Sequence, residues 1–440
     1  AIFTMAVRAP ADTDTWWHLQ AGPATLEQGR ILQTDLFSHT RYGSAWVNHS
    51  WLSQVILHGL FDTFSYAGLG LWMAAVATGA FVLVYLQMEG DVFSRAFILV
   101  LAAATSAVIW SARPQLFSLL LTAVVAYVLY LFKWRRVNRL WLLLPIFILW
   151  VNLHAGYALG FMILAGFAAG EVLNQLIEPL VPADDPILSW RDIGWLVVAA
   201  ALSALVLVFN PNTTRMWTYY LETVQIDVLQ DVIQEWRSPD FHPLHTQPFI
   251  WLLLGTMAAM GLSKRRVDGS DLVLVGLFGY AALLAGRNIG PFAVVAAPVL
   301  SRHVTGILSS REDGRRVRSS SGAPTPFQAA LNWGLLLVVV GLAVVKTYTP
   351  LRPAFNRALQ RESLPVDAAA WVEENHPEGQ MFNHYNWGGY LIWRLWPDYG
   401  VFVDGRTDLY GDAFLAQYLE VQAARPGFED VLEEHDVNWV

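Results

Sequence analysis

Ala11–Trp51 reads ADTDTWWHLQAGPATLEQGRILQTDLFSHTRYGSAWVNHSW. Two aspartates one residue apart, Asp12 and Asp14, run straight into Trp16, Trp17 and His18, and the stretch closes on a second aromatic and imidazole group, Trp46, His49 and Trp51. Most of the chain beyond it is hydrophobic. A polar loop with two acids, His18, His39 and His49, ahead of a membrane domain, is where chemistry is expected.

The chain has 440 residues, 55% hydrophobic and 15% charged, where a soluble domain carries about 25% charged. This composition specifies an integral membrane protein. The 20 tryptophans suit bilayer interfaces, where an apolar ring and a wet N–H are both satisfied. The net charge of −8 names no partner, because the basic residues are segregated by loop. Lys/Arg runs are short and sit between spans, which excludes a nucleic-acid surface. With no cysteine, disulfides and thiolate metal sites are excluded. Ala1 to Arg8 reads like the last turns of a span, with no cleavable signal peptide.

Apolar windows of roughly 17 to 25 residues read as spans. They fall at 1–8, 66–88, 92–110, 115–132, 139–152, 155–177, 193–209, 247–263, 270–286, 289–301 and 327–346, about eleven in all. Residues 51–64 place Leu52, Val55, Ile56, Gly59 and Leu60 on one face, as an interfacial amphipathic helix. With the first loop external, 14 Lys/Arg fall in internal connections and 6 in external ones, which sets the orientation by the positive-inside rule. Asp12, Asp14, Arg113, His154, Glu235 and Arg287 then share one external face with everything after Lys346. Residues 302–326, rich in Ser, Arg and Gly, read as a flexible internal linker.

Asp12 and Asp14, spaced i, i+2 in an extended loop, lie near enough to share a hard divalent cation, Mg²⁺ or Mn²⁺, through oxygen ligands. One of them serves equally as a general base on an acceptor hydroxyl or amide, and the plain alternative is a solvated pair in a turn. The loop histidines lack zinc spacing and are better suited to lining a pocket. Arg113-Pro114-Gln115 opens a span, so Arg113 either snorkels to the interface or grips a phosphate in bidentate fashion. Arg287-Asn288, ahead of a short helix, offers the same chemistry. His154, at an external hairpin, is a functional or a packing histidine. The loop 210–246 is acidic through Glu222, Asp227, Asp231 and Glu235; Glu235, before Trp236 and Arg237, is the candidate third acid ligand.

From Leu351 the composition turns soluble. Predicted helices over LPVDAAAWVEEN, WGGYLIWRL and DAFLAQYLEVQAA alternate with predicted strands GQMFNHY and VFVDGR, an external α/β domain over 351–440. Asn438-Trp439-Val440 looks like the start of another strand, so the natural protein is expected to continue. Asp404, at the carboxyl end of VFVDGR, occupies a usual binding position in α/β sheets or simply a good turn.

These residues resemble the GT-C superfamily of membrane glycosyltransferases, and within it the catalytic subunit of oligosaccharyltransferase and uncharacterised bacterial relatives. Asp12-Thr13-Asp14-Thr15-Trp16-Trp17-His18-Leu19 is similar to that family's Asp-Pro-aromatic-aromatic-His-aromatic-Arg run. Asn386-Trp387-Gly388-Gly389-Tyr390, followed by Val403-Asp404-Gly405-Arg406-Thr407-Asp408, is similar to its Trp-Trp-Asp-Tyr-Gly helix and Asp-Asn-rich segment. The pattern departs at Asn386-Trp387-Gly388, which lacks the acid, and near Arg113, where no second Asp-x-Asp follows.

The resemblance implies a transmembrane GT-C domain over 1–346 and inverting transfer of a sugar or glycan from a polyprenyl-phosphate-linked donor to a protein or glycan acceptor outside the cell membrane. It implies Asp12, Asp14 and Glu235 as catalytic acids and tentative Mg or Mn ligands. Arg113, Arg237 and Arg287 are expected on the donor phosphate, with Trp16, Trp17, His18, His49, His154, Trp387 and Asp404 lining the pocket. The competing reading is a non-catalytic GT-C-like scaffold subunit of a larger membrane complex. A filled, dry interface between Asp14, Arg113, Glu235 and Arg287 would favour the scaffold, and an open groove the enzyme. A transporter would show inverted repeats and mid-membrane polarity, and neither occurs.

Overall fold

A computed structural model of the chain describes residues 1–226, 233–312 and 325–440, with the side chains of Gln234 and of 310–312 left aside. Asp227, Asp231, Arg315, Arg316, Arg318 and residues 313–324 of the expected 302–326 linker lie outside the described residues, while 302–312 continue the helix Ile289–Glu312 instead of starting a linker.

The chain is mostly helical. Among the described residues, seven helices are long and apolar enough to cross a membrane: Trp51–Tyr85, Val92–Ile109, Gln115–Lys133, Tyr157–Ile177, Trp190–Phe209, Gly286–Ser309 and Pro326–Leu351. Leu140–Leu153, Gln247–Leu262 and Gly269–Leu284 are apolar but shorter. The expected eleven spans therefore become seven full-length helices and three short ones, with Ile2–Ala6 as the stub. The apolar run Trp51–Tyr85 is two helices meeting at Ser65, whose φ of 54° and ψ of −145° are non-helical, which separates the expected helix over 51–64 from the span that begins at 66.

The helices begin where the connections supply caps. Asp91 accepts from the backbone N–H groups of Phe93 and Ser94, and Asp268 from Ser270 and Asp271. Ser189 with Asp192, and Thr325 with Gln328, form capping boxes. Each satisfies first-turn donors that apolar surroundings would leave bare. All four caps sit at the end expected to be internal. At that end Lys133 joins Glu171 and Asp268, Arg302 pairs with Asp271, and Arg265 bridges Glu89 and Asp185. The polar connections thus divide between the two ends of the bundle as strict alternation requires.

The C-terminal α/β domain does not form as expected. Residues 351–440 carry helices Pro353–Ser363, Val366–Asn375, Tyr385–Leu395, Thr407–Gln422 and Phe428–Glu434, with one parallel two-stranded sheet, Gln380–Met381 beside Val437–Trp439. VFVDGR is buried but is no strand, because other partners take its backbone groups. Val401 exchanges hydrogen bonds with Phe37 and His39 of the first loop. Asn383 Oδ1 accepts from the Phe402 N–H at 2.7 Å, and its Nδ2 donates to the Val403 carbonyl at 2.8 Å. The segment is held between the first loop and the rest of the C-terminal region.

Candidate functional site

The first loop folds back as helix Thr15–Gln28, which buries Trp16, Trp17, His18 and Leu19. Trp16 packs against Tyr390 and Trp393, with ring centroids 5.6 and 4.8 Å apart. This anchors the helix to Tyr385–Leu395 and leaves Asp12 and Asp14 at its amino end. Two glycines permit the approach. A Cβ on Gly389 would stand 2.5 Å from the Thr13 carbonyl, and one on Gly405 would stand 1.9 Å from Asp14 Oδ1. The Asn-Trp-Gly-Gly-Tyr and Val-Asp-Gly-Arg runs therefore act here as seats for the acidic loop.

Arg406 locks this joint. Fully buried, it pairs with Asp35 at 2.5 Å and Asp404 at 2.6 Å, and its guanidinium lies over Phe37 and Trp46. Tyr410 donates to Asp404 at 2.7 Å. Asp404 is thus a structural anion, and the cavity wall carries its neighbours Gly405, Arg406, Thr407 and Asp408 instead.

A cavity of about 1010 Å³ opens between the first loop, the loops near Arg113, His154 and Arg287, residues 219–223 and 233–246, and the C-terminal segment. Asp12, Asp14, Trp17, His18, His49, Arg113, His154, Glu235, Arg237 and Arg287 all line it. Three expected pocket residues do not. Trp16 is core, Asp404 is tied to Arg406, and Trp387 stands exposed beside His384. An open cavity where the scaffold reading requires a filled interface does not favour that reading.

Arg113 holds the centre. Its Nη1 lies 2.7 Å from Asp14 Oδ2, its Nη2 2.5 Å from Glu235 Oε2, and its Nε 3.2 Å from Asp12 Oδ2. Nη2 also donates to Gln115 Oε1 at 2.9 Å. The expectation that Arg113 grips a donor phosphate is therefore not met, since its three nitrogens already face carboxylates. Arg287 is differently placed: its guanidinium lies 4.3 Å from the centre of the Trp236 ring, and among the described residues it forms no ion pair. The acids suit Mg²⁺ or Mn²⁺ in chemistry but not in arrangement, because a guanidinium stands at their focus. Among the described residues no set of acidic or imidazole groups is disposed to hold a metal ion.

Burial and neighbouring charge divide the acids. Asp14 is pushed up to about 7 by burial and by Asp12 and Glu235, against the pull of Arg113. Glu235, where burial acts upward, is held below the usual carboxylate range by Arg113 and Arg287. Two carboxylates in one site pushed apart in this way are suited to different roles.

Burial keeps the imidazoles of His18, His49 and His154 neutral: reinforced by Arg113 it holds His18 well below the usual range, it brings His49 down to about 4, and with the neighbouring His49 and Arg287 it holds His154 below that range. The Gly156 N–H donates to His154 Nδ1 at 3.0 Å, and Ser118 Oγ lies 2.8 Å from the same nitrogen while accepting from Trp150 Nε1. With Nδ1 accepting, Nε2 carries the proton. The Nδ1 atom of His18 and Nε1 of Trp17 are buried without a hydrogen-bond partner among the described residues.

Ser118, Tyr219, Tyr385 and Asp408 also line the cavity and escaped the sequence reading. Tyr219 donates to Asp408 at 3.1 Å and packs on His49. Ser118 sits one turn after Gln115, a weak signal that was available. Asp408 closes the Val403–Asp408 run that carries the resemblance but was given no role there, and Tyr219 gave no signal, since only the fold brings residues 189 positions apart together.

No protein-family model matches the chain, and no curated protein sequence matches it. Solved structures do. The archaeal oligosaccharyltransferase AglB from Archaeoglobus fulgidus, in complex with an inhibitory peptide and a dolichol-phosphate, aligns over 99% of this chain and 67% of its own, at 13% identity and a TM-score of 0.54. The chain shares the oligosaccharyltransferase fold. The apo form of the Archaeoglobus fulgidus enzyme aligns at a TM-score of 0.58, 13% identity, over 98% of this chain and 66% of its own. The form tethered to an acceptor peptide containing the NVT sequon gives 0.53, 14%, 98% and 65%. The chain thus spans about two thirds of their length. That fold agrees with the resemblance read from the first-loop and C-terminal motifs, and the apolar helices among the described residues are of membrane-spanning length.

Proposed function

We propose that this protein is a membrane glycosyltransferase that moves a sugar or glycan from a polyprenyl-phosphate-linked donor to a protein or glycan acceptor at the outer face of the cell membrane. The observation that carries the reading is the single cavity joining Asp12, Asp14 and Glu235 to Arg287. An acceptor hydroxyl or amide loses its proton to Asp14 as its heteroatom attacks the anomeric carbon. The bond from that carbon to the phosphate oxygen breaks from the opposite side, inverting the centre. The departing polyprenyl phosphate or diphosphate takes the electron pair, and Arg287, with Arg237 on the same wall, meets the developing charge. The archaeal structure with dolichol-phosphate bound supports a lipid phosphate as donor, and the peptide-tethered form supports a protein acceptor. The C-terminal region would lie extracytoplasmically, as the basic-residue count argues.

Mass spectrometry of purified protein tests the donor: polyprenyl phosphate should co-purify with wild type and be lost from Arg287→Ala. Lack of retained lipid in both, with no transfer of labelled glycan, would end the proposal. Rate against pH tests the base. Asp14 accepts a proton only when ionised, so transfer should climb as pH rises through about 7 and level off above it. Neutral His18, His49 and His154 and ionised Glu235 add no step there, and a rate flat across neutrality contradicts the assignment.

Gly405→Ala tests the geometry. The new methyl must displace the Asp14 carboxylate, and a shift of roughly 1 Å costs about 10²-fold in rate. A variant with wild-type kcat shows that Asp14 need not be held there.

A further inference from the structure

Asp12 and Asp14 from the first loop and Glu235 from a loop more than 200 positions away converge on one point, as ligands of a divalent ion would. The group at that point is the Arg113 guanidinium, with each of its nitrogens facing a different carboxylate. We infer that Arg113 is a built-in cation that takes the position of a divalent metal, so that the carboxylate centre is assembled and charge-compensated without one.

Three features fit a permanent occupant. Only 13% of the arginine side chain is exposed. Gln115 Oε1 steadies Nη2 at 2.9 Å and the Ser111 carbonyl accepts the Arg113 N–H at 2.8 Å, so both the side chain and its backbone are held. A guanidinium does not lose its proton at any accessible pH, and its planar fork serves several carboxylates at once. The ligands are committed as well: Asp12 Oδ1 accepts the Asp14 N–H at 3.0 Å while its Oδ2 faces Arg113. A divalent ion entering this focus would meet a fixed positive charge at contact distance, and that charge cannot neutralise itself. The sequence around Arg113 carries no second Asp-x-Asp.

The proposal rests on the transfer reading only for its activity arm, because metal binding is measured without turnover. Mn²⁺ is titrated into detergent-solubilised, full-length protein and followed by electron paramagnetic resonance. Wild type should leave the free-ion signal unchanged. Arg113→Ala, which bares three carboxylates of the right hardness, should bind Mn²⁺ at least about tenfold more tightly than wild type, and adding Asp12→Asn should reverse the gain. Arg113→Gln is the second variant, and thermal unfolding identifies which proteins are folded. EDTA should leave wild-type transfer unchanged. The inference is overturned if wild type binds one Mn²⁺ that Asp12→Asn removes, if EDTA abolishes transfer, or if folded Arg113→Ala and Arg113→Gln both fail to gain Mn²⁺. If neither variant folds, the wild-type titration decides alone.

Discussion

Asp14→Asn is expected to fold normally and to transfer labelled glycan about 10²- to 10⁴-fold more slowly than wild type, the range associated with losing a positioned general base. The substitution keeps the shape that Gly405 accommodates and keeps one oxygen to accept from Arg113, so packing changes little. It removes the acid whose affinity for a proton burial pushes up to about 7. Asp12→Asn should cost less, because Asp12 faces the weakest of the three Arg113 contacts, at 3.2 Å. Glu235 is held too low to be an effective base, and its substitution should act by loosening Arg113. The measurement is single-turnover transfer with thermal unfolding in parallel. An Asp14→Asn protein as fast as wild type would remove Asp14 from the mechanism.

The largest stability effect is expected at Arg406. Arg406→Met fills much of the same volume but strands Asp35 and Asp404, both fully buried. Removing one partner of a buried pair costs about 3–5 kcal/mol, because an uncompensated charge remains in low dielectric. Asp35 keeps the Phe37 and Ser38 N–H groups as donors and Asp404 keeps Tyr410, which moderates the loss without supplying a positive charge. The damage should be local. Arg406 joins the first loop to the C-terminal segment, so limited proteolysis should cut around 401–411 before it cuts the helix bundle. Unfolding within about 1 kcal/mol of wild type, with unchanged proteolysis, would show that the joint does not depend on this charge.

Much of the membrane body was legible because its signal is local. An apolar window has the same meaning wherever it sits, and the expected spans fall on apolar helices, although only seven of these among the described residues are long enough to cross a membrane and the window 289–301 stops eight residues short of Ser309. The misreadings share a cause. A short helix such as Gln247–Leu262 and a full span look alike until neighbours are known. The run VFVDGR has strand composition, yet its backbone partners come from Asn383 and the first loop. Trp16 and Trp17 are adjacent and chemically identical, and only packing against Tyr390 and Trp393 makes one core and the other cavity wall.

The first loop shows the same division. By itself, the sequence determined that Asp12 and Asp14 stand together, that helix ends would gather His154, Glu235 and Arg287 on their side, and that Arg113 shares that face, because charge segregation and span alternation depend only on chain order. Only the tertiary structure decided that Arg113 meets all three carboxylates, that Arg287 is the cation left facing the cavity without an ion pair among the described residues, and that Gly405 presses on Asp14. Those facts depend on distances of a few ångströms between segments hundreds of residues apart, and such distances are set by packing, of which residue order carries no record.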